Sequence, residues 1–236
     1  MATPDTVREM KIEAARAALA EVRSGMKLGL GTGSTAREFV ELLGQSIRSG
    51  VLTGIRAVCT SRQTESQAHS LGIPLQPLSD LGPLDLSVDG TDEIDPALRL
   101  IKGLGGALLR EKIVEQASTR FIVIADHTKL VEKLGRGWLP VEVVTFACDL
   151  LESRFREMKL EPRRRELHGK PLTTDEGHQI LDIRVPATSE IAEIVESVRR
   201  CAGVVETGFF PWEATEAIIA MPDGIERRSR TRPEVR

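Results

Sequence analysis

Short apolar strands alternate with helices and glycine turns along the first half of this chain of 236 residues. The first unit has a strand over Met26–Leu30, a tight turn over Gly31–Thr35 and a helix through Leu43, with Thr35 and Glu38 at capping-box spacing. Strands connected through helices usually run parallel, and their ligands bind at the carboxyl ends of the strands. The alternation therefore predicts a largely parallel sheet with its site at that edge.

The same alternation continues on both sides of this unit. An amphipathic helix is predicted from Thr6 to Gly25. The elements predicted next are strand Ile55–Cys59, helix Ser61–Ser70, strand Leu84–Val88, strand Leu98–Ile101, a helix from about Ala107 and strand Phe121–Ala125. Strand Ala217–Met221 returns to the main sheet, and the basic segment Arg227–Arg232 is predicted to be a solvated end rather than a nucleic-acid-binding arm.

After about Lys133 the pattern changes to a split βαββαβ unit. Its elements are strand Val141–Phe146, helix Asp149–Met158, strand Leu160–Leu167, strand Gln179–Val185, helix Ser189–Arg200 and strand Val204–Phe209. We predict an α/β fold in which a Rossmann-like, mostly parallel sheet flanked by helices spans residues 1–134 and 208–236. A smaller inserted ferredoxin-like α+β domain spans residues 135–207, and an oligomerisation or lid role is the hypothesis for it.

Composition limits the class of protein. Hydrophobic residues make up 41% of the chain, enough for a core, and the formal net charge of −3 does not favour nucleic acid or a membrane as a partner. Cys59, Cys148 and Cys201 are too widely spaced for a disulfide framework or a zinc site, and no leader or membrane span is recognisable. We expect a soluble, untargeted protein of the reducing cytoplasm.

The turn Gly31–Thr35 is a candidate anion site, because its backbone N–H groups and the hydroxyls of Thr32, Ser34 and Thr35 can converge at a helix N-terminus. The dinucleotide fingerprint has Ala36 at its third glycine position, which it tolerates, but the next strand ends without an acidic residue. A turn that merely reverses the chain is the alternative. Three hydroxyls in one turn favour a phosphate or polyol.

Asp89 and Asp92 lie three residues apart after a buried strand, on a turn where Gly90 permits close approach. One carboxylate could act as an acid while the other orients it or binds a hydroxyl. Asx-turn capping explains these residues equally well, so both interpretations stay open. A hard-cation site ranks last, because one short turn supplies few oxygen ligands.

A second glycine-rich segment, Lys102–Gly106, follows the next strand. Most lysines lie on the surface, but glycines beside a cation are costly in chain entropy unless the backbone must approach a ligand. Glu111 lies early in the next helix, where a favourable charge on the helix dipole is the ordinary interpretation. Lys129, and more weakly Lys11, could neutralise a phosphate. The four histidines lack the spacing of a catalytic metal site.

In order and spacing these motifs resemble ribose-5-phosphate isomerase of the A type. The segments that carry the resemblance are Gly31–Thr35, Val88–Ile94, Lys102–Ala107, Arg110–Lys112 and Ala125–Lys129, and it extends to Pro222–Gly224. It implies a metal-independent aldose–ketose isomerase without a cofactor, acting on a small-molecule sugar phosphate in the non-oxidative pentose phosphate pathway. The reaction implied is the interconversion of D-ribose 5-phosphate and D-ribulose 5-phosphate through an enediol, by a homodimer or a tetramer of paired dimers.

By the same resemblance, Glu111 is the base that moves a proton between C2 and C1, Asp89 assists ring opening and Lys102 stabilises the oxyanion. The implied substrate-binding residues are Thr32, Gly33, Ser34, Thr35, Asp89, Gly90, Thr91, Asp92, Lys102, Gly103, Leu104, Gly105 and Lys129. Leu104 replaces the glycine usual in the family, so its side chain must point away if its N–H is to contact a sugar hydroxyl.

Two other functions remain open at this level. A non-catalytic sugar-phosphate-binding regulator would need a DNA-binding module, yet the first helix runs almost directly into the glycine-turn strand. A coenzyme A transferase on a related sheet would require an acyl thioester and would form a covalent acyl-glutamate.

Overall fold

The computed structural model describes residues 4–230. Its helices are α1 (Pro4–Leu19), α2 (Ser34–Arg48), α3 (Arg62–Ser70), α4 (Leu78–Leu81), α5 (Leu108–Gln116), α6 (Cys148–Glu157) and α7 (Ile191–Arg199). Its strands are β1 (Lys27–Leu30), β2 (Arg56–Cys59), β3 (Leu84–Asp89), β4 (Glu93–Ile94), β5 (Leu100–Ile101), β6 (Ser118–Asp126), β7 (Leu139–Val143), β8 (Arg163–Arg164), β9 (Glu166–Leu167), β10 (Lys170–Pro171), β11 (Gln179–Ile183), β12 (Val204–Thr207), β13 (Phe209–Phe210), β14 (Glu216–Met221) and β15 (Gly224–Ser229). Within residues 4–230, no helix combines the length and apolar character that a membrane crossing requires.

The central sheet has the strand order β15–β14–β6–β3–β1–β2, and its pairs are parallel except for the antiparallel pair β14–β15. Both faces of the sheet are covered in its middle, and β6 and β14 accordingly contain the continuous apolar runs Phe121–Ala125 and Ala217–Met221, whereas β3 alternates apolar and polar residues. Along β6, Ile122 and Ile124 belong to the core that includes α1 and α2. Phe121 and Val123 point to the other face, where they pack with Phe210 of the small sheet β13–β5–β4. The predicted α/β fold is confirmed.

The second sheet has the order β12–β7–β11–β8 and is antiparallel throughout. Helix α6 connects β7 to β8, and α7 connects β11 to β12, which is the predicted split βαββαβ path. This sheet has its own core, which includes Val141, Phe155, Leu181 and Val198. The residues at which the smaller domain begins and ends, 135 and 207, stay a prediction.

The first two predicted helices have different bounds in the structure. Helix α1 ends at Leu19 rather than Gly25. Helix α2 continues to Arg48, and its N-cap is Gly33 rather than Thr35, so the predicted capping box is wrong. Gly33 has φ 108°, a backbone conformation that residues with a side chain disfavour. A glycine therefore occupies the position immediately before the first residue of α2, Ser34.

The predicted strand Leu160–Leu167 starts later and is divided in two: Lys159 and Glu161 adopt positive φ angles of 61° and 46° and turn the chain before β8 begins at Arg163. Strand β8 then pairs with β11, whereas β9 pairs with β10. The predicted strand Val141–Phe146 ends earlier, at Val143.

The basic segment near the C-terminus was wrongly predicted to be a solvated end. Strand β15 pairs with β14 along its whole length, from Gly224 beside Met221 to Ser229 beside Glu216. Charged residues on an edge strand protect against pairing with further strands, so β15 does not need alternating apolar residues. Without that alternation, nothing in the local sequence indicated a strand here. Thr231 and Arg232 lie outside the described residues.

Candidate active site

A cleft opens at the carboxyl ends of β1 and β3, the edge predicted from the strand alternation. It is lined by Thr32, Gly33, Ser34, Thr35, Gly90, Thr91, Asp92, Lys102, Gly103, Gly105, Glu111 and Lys129. The structure thus brings together motifs that are distant in sequence. Two predicted residues lie outside this lining: Asp89 is buried, and Leu104 has an exposed side chain.

Asp89, the last residue of β3, packs against the glycine turn. Its Oδ1 accepts hydrogen bonds from the backbone N–H groups of Thr32 at 2.9 Å and Gly90 at 2.6 Å. A Cβ at position 31 would overlap the Asp89 carboxyl group, so Gly31 is required for this close approach. The first glycine turn therefore positions a buried carboxylate as well as shaping the cleft.

Lys102 is a charged side chain that is only 2% exposed, and three carboxylates surround it. Its Nζ lies 2.9 Å from Asp89 Oδ2, 3.2 Å from Glu115 Oε1 and 3.7 Å from Glu111 Oε2, and it donates to Gly90 O at 2.5 Å. Burial acts to lower the pKa of Lys102, but the three carboxylates outweigh burial and raise it. The cleft thus contains a fixed positive charge.

Glu111 lies in the first turn of α5, is 4% exposed and reaches the cleft. Burial raises the pKa of Glu111 to about 8; Lys102 opposes this shift, and Asp89 and Asp92 reinforce it. A general base is most effective when its pKa lies near the working pH. Local sequence did not distinguish Glu111 from a helix-dipole charge, whereas its burial beside a cation does.

Glu115 is a buried member of this cluster that the sequence analysis missed. It is 2% exposed, and burial raises its pKa well above the ordinary value, against the opposing charge of Lys102. Its spacing of four residues from Glu111 was the available signal, because such residues share one face of a helix. Within residues 4–230, no group of three or more His, Cys, Asp or Glu side chains is placed to hold a metal ion.

Asp92 faces the cleft from the turn after β3. Its Oδ2 accepts a hydrogen bond from the N–H of Leu104 at 2.9 Å, and burial raises its pKa, opposed by that hydrogen bond and by the charge of Lys129. The Leu104 side chain is 53% exposed and points away from the cleft. The family resemblance implied that the Leu104 N–H contacts a sugar hydroxyl, but in this structure it donates to Asp92.

The three hydroxyls of the glycine turn have different surroundings. The Thr32 hydroxyl lies 2.7 Å from that of Thr60 and donates to Ser61 Oγ at 2.8 Å, within a buried network. Ser34 is exposed, and its Oγ accepts a hydrogen bond from Lys11 Nζ at 3.0 Å. The Thr32 hydroxyl therefore links the glycine turn to the start of α3, which leaves the hydroxyls of Ser34 and Thr35 for the cleft.

Known proteins with similar sequences cover almost the whole chain. The family model for ribose 5-phosphate isomerase A (phosphoriboisomerase A) matches residues 56–224. Ribose-5-phosphate isomerase A of Deinococcus radiodurans is 45% identical over 222 residues, which cover 94% of this chain and 98% of the relative. The Sphingopyxis alaskensis protein of the same name is 46% identical over 224 residues, covering 95% and 97%.

Solved structures agree with these relatives. A D-ribose-5-phosphate isomerase in complex with phospho-erythronic acid superposes with a TM-score of 0.90 at 34% identity, covering 95% of this chain and 99% of that one. Ribose 5-phosphate isomerase from Plasmodium falciparum superposes with a TM-score of 0.89 at 35% identity, covering 94% and 98%.

Proposed function

This chain belongs to the ribose-5-phosphate isomerase A family and interconverts D-ribose 5-phosphate and D-ribulose 5-phosphate, and we propose that Glu111, Lys102 and Asp89 perform the reaction. The observation that carries the proposal is a buried carboxyl of raised pKa, Glu111, that reaches the cleft beside the ammonium group of Lys102. The regulator and the coenzyme A transferase are not favoured, since relatives with about 45% identity over nearly the full length are isomerases.

Proton transfer by Glu111 accounts for both halves of the reaction. The carboxylate takes the proton from C2 of the open-chain aldose, and the electron pair of that C–H bond forms the C1–C2 double bond while O1 becomes an oxyanion. Protonation of O1 gives the neutral enediol. Glu111 then returns the proton to C1 while the O2 hydroxyl loses its own, which leaves a carbonyl at C2. One carboxyl group on one face of the substrate can therefore serve both steps, and the proton that O2 loses balances the one that O1 gained.

Lys102 is proposed to stabilise the oxyanion, because a buried cation acts more strongly there than in water. Its charge is fixed before substrate binds by Asp89, whose Oδ2 lies 2.9 Å from Nζ. Asp89 stays the residue proposed to assist ring opening. Asp92 is proposed to hold sugar hydroxyls, together with the backbone of Gly90, Thr91, Gly103 and Gly105.

The start of α2 is proposed to hold the phosphate, because the N–H groups after Gly33 and the hydroxyls of Ser34 and Thr35 face the cleft there with Lys129. Lys129→Met is expected to lower kcat/KM about 10–100-fold, mainly through KM, since a charge-assisted hydrogen bond to a distant phosphate contributes about 1.5–3 kcal/mol. Steady-state kinetics with ribose 5-phosphate measures this effect. An unchanged KM would remove Lys129 from the phosphate site.

We propose that the reaction needs no metal, since an ammonium group is placed to act as the electrophile. The purified protein is expected to convert ribose 5-phosphate to ribulose 5-phosphate at an undiminished rate after dialysis against excess chelator. The rate of ketose formation with and without chelator measures this directly. Loss of activity that added divalent cations restore would contradict metal independence while leaving the isomerase assignment intact.

The assembly and location inferred from the family resemblance stay predictions. They are a homodimer or tetramer, a cytoplasmic location, and no nucleic-acid or membrane partner. The exposed side chains of Phe146 and Leu150, on the smaller domain, are the kind of apolar surface that subunit contacts cover, which supports the oligomerisation role proposed for residues 135–207. Light scattering against the chain mass of 25.9 kDa would decide the subunit number.

A further inference from the structure

Arg165, the last of three successive arginines at positions 163–165 of the smaller domain, reaches across to the glycine loop of the cleft, residues 103–106. Its Nη1 donates hydrogen bonds to Gly103 O at 2.6 Å and to Leu104 O at 3.1 Å. Its Nε donates to Asp182 Oδ2 at 3.0 Å, and its Nη2 donates to Asp182 Oδ1. One planar guanidinium therefore joins a buried carboxylate of β11 to two successive carbonyls of the loop.

The two loop carbonyls are held on the side of the smaller domain, while the N–H of Leu104 donates to Asp92 Oδ2 at 2.9 Å. Gly103 has φ 105°, and the loop's glycines leave it many alternative conformations in isolation. Contacts from outside the loop must therefore select the conformation that lines the cleft. Arg165 supplies two of these contacts.

The choice of arginine fits this task. The Asp182 carboxylate is 1% exposed, and any well-placed cation could neutralise it. The buried ion pair alone therefore does not assign a functional role to Arg165. Guanidinium differs from ammonium in having five N–H donors in a rigid fork, which can serve a carboxylate and two carbonyls at once. The carbonyl contacts are therefore the part of the geometry that requires arginine.

We propose that Arg165 is a positioning residue for the isomerase site, which fixes the Gly103–Gly105 loop so that the Leu104 N–H orients Asp92 towards the substrate. The smaller domain thereby helps to build the active site of its own chain. This inference rests on the proposed function in one respect, the role of Asp92 in holding sugar hydroxyls.

The test compares Arg165→Lys with Arg164→Lys. Lysine at position 165 keeps a cation for Asp182 but cannot bond the carboxylate and both carbonyls together. Arg164 provides a matched control, because it pairs with Asp149 and Glu152 inside the smaller domain. Arg165→Lys is expected to lower kcat/KM about 10–100-fold, mostly through KM, since displacement of a positioning group by about 1 Å can cost 10²-fold. Arg164→Lys is expected to stay within about twofold of the parent.

Hydrogen exchange of the amides in residues 103–106 gives a readout that does not depend on turnover. Exchange there should accelerate in Arg165→Lys and remain at the parent rate in Arg164→Lys. If Arg165→Lys leaves either loop exchange or KM unchanged, the positioning role is wrong. Failure of the role proposed for Asp92 is distinguishable, because it would appear as an Asp92→Asn enzyme with the KM of the parent and would leave the loop exchange result untouched.

A double variant, Arg165→Met with Asp182→Leu, guards against a folding defect. It removes both members of the buried pair and so leaves no uncompensated charge in the core. It should show the same raised KM and faster loop exchange as Arg165→Lys, with a melting temperature close to that of the parent. Parental KM in a folded double variant would overturn the inference.

Discussion

Glu111→Gln is expected to lower kcat for ribose 5-phosphate about 10²- to 10⁴-fold, the range that general-base catalysis contributes. The amide fills the volume of the carboxylate but cannot accept the C2 proton, so KM should change little. Initial rates of ketose formation in excess chelator measure the loss. A Glu111→Gln enzyme with nearly parental turnover would contradict the assignment of the base.

The pH dependence of the parent enzyme tests the same residue without a mutation. Only the ionised form of Glu111 can act as the base, and burial raises its pKa to about 8. Below that pH the ionised fraction falls about tenfold per pH unit, so kcat/KM should rise with pH and level off above about 8. A profile that declines between pH 6 and about 8 would be inconsistent with this role.

Glu115→Gln is the matched control for Glu111→Gln. It makes the same substitution one helical turn away, at a residue beside Lys102 that does not line the cleft. Burial raises the pKa of Glu115 well above its ordinary value, and glutamine has nearly the same shape as the glutamate side chain. We expect kcat/KM to stay within about threefold of the parent, which would separate base chemistry from general disturbance of the buried cluster.

The architecture was accessible from sequence because its signals are local. Apolar strands such as Phe121–Ala125 and the glycine turn Gly31–Thr35 predicted a parallel sheet and the edge at which the cleft lies. The two-residue strand β4 was not predicted, and Phe209, the first residue of the short strand β13, was assigned to the preceding strand. Segments that short carry no periodicity.

The chemistry of the cleft depends on packing that local patterns do not encode. The small sheet β13–β5–β4 places Lys102 behind the turn after β3, where Asp89 and two residues of α5 surround it. Local sequence showed only that Lys102 lies beside glycines and that Glu111 could interact favourably with a helix dipole. Arg165 belongs to no motif in the sequence, and only the pairing of β8 with β11 places it beside Asp182.

Lys102→Met is expected to impair both catalysis and folding. Loss of one donor to a developing oxyanion lowers kcat about 10²- to 10³-fold, and removal of one partner from a buried ionic cluster destabilises a protein by about 3–5 kcal/mol. Urea denaturation measures the free energy of unfolding, and kinetics on the folded fraction measures the catalytic loss. Unchanged turnover by the folded fraction would exclude Lys102 as the electrophile.

The loss of stability in Lys102→Met should grow with pH above about 8. Without the ammonium group, the pKa values of Glu111 and Glu115 in the folded state rise further above their ordinary value, so these carboxyls take up protons on folding. Stability therefore falls as pH rises from the unfolded-state value of about 4.5 towards the folded-state values. In the parent the pKa of Glu111 is already about 8, so below that pH both proteins lose stability in parallel. The difference in unfolding free energy should stay nearly constant from about pH 5 to about 8 and increase above it.

Lys112→Met is the control that separates the two effects. Lys112, which lies in α5, is buried like Lys102. Its ammonium group instead lies 3.0 Å from the Glu206 carboxylate and donates to the carbonyls of Thr207 and Phe209. Its removal should destabilise the fold by a comparable amount while the folded molecules keep most of their kcat, since Lys112 does not line the cleft. Equal losses of kcat in both variants would mean that disruption around α5, rather than the charge of Lys102, accounts for the loss of catalysis.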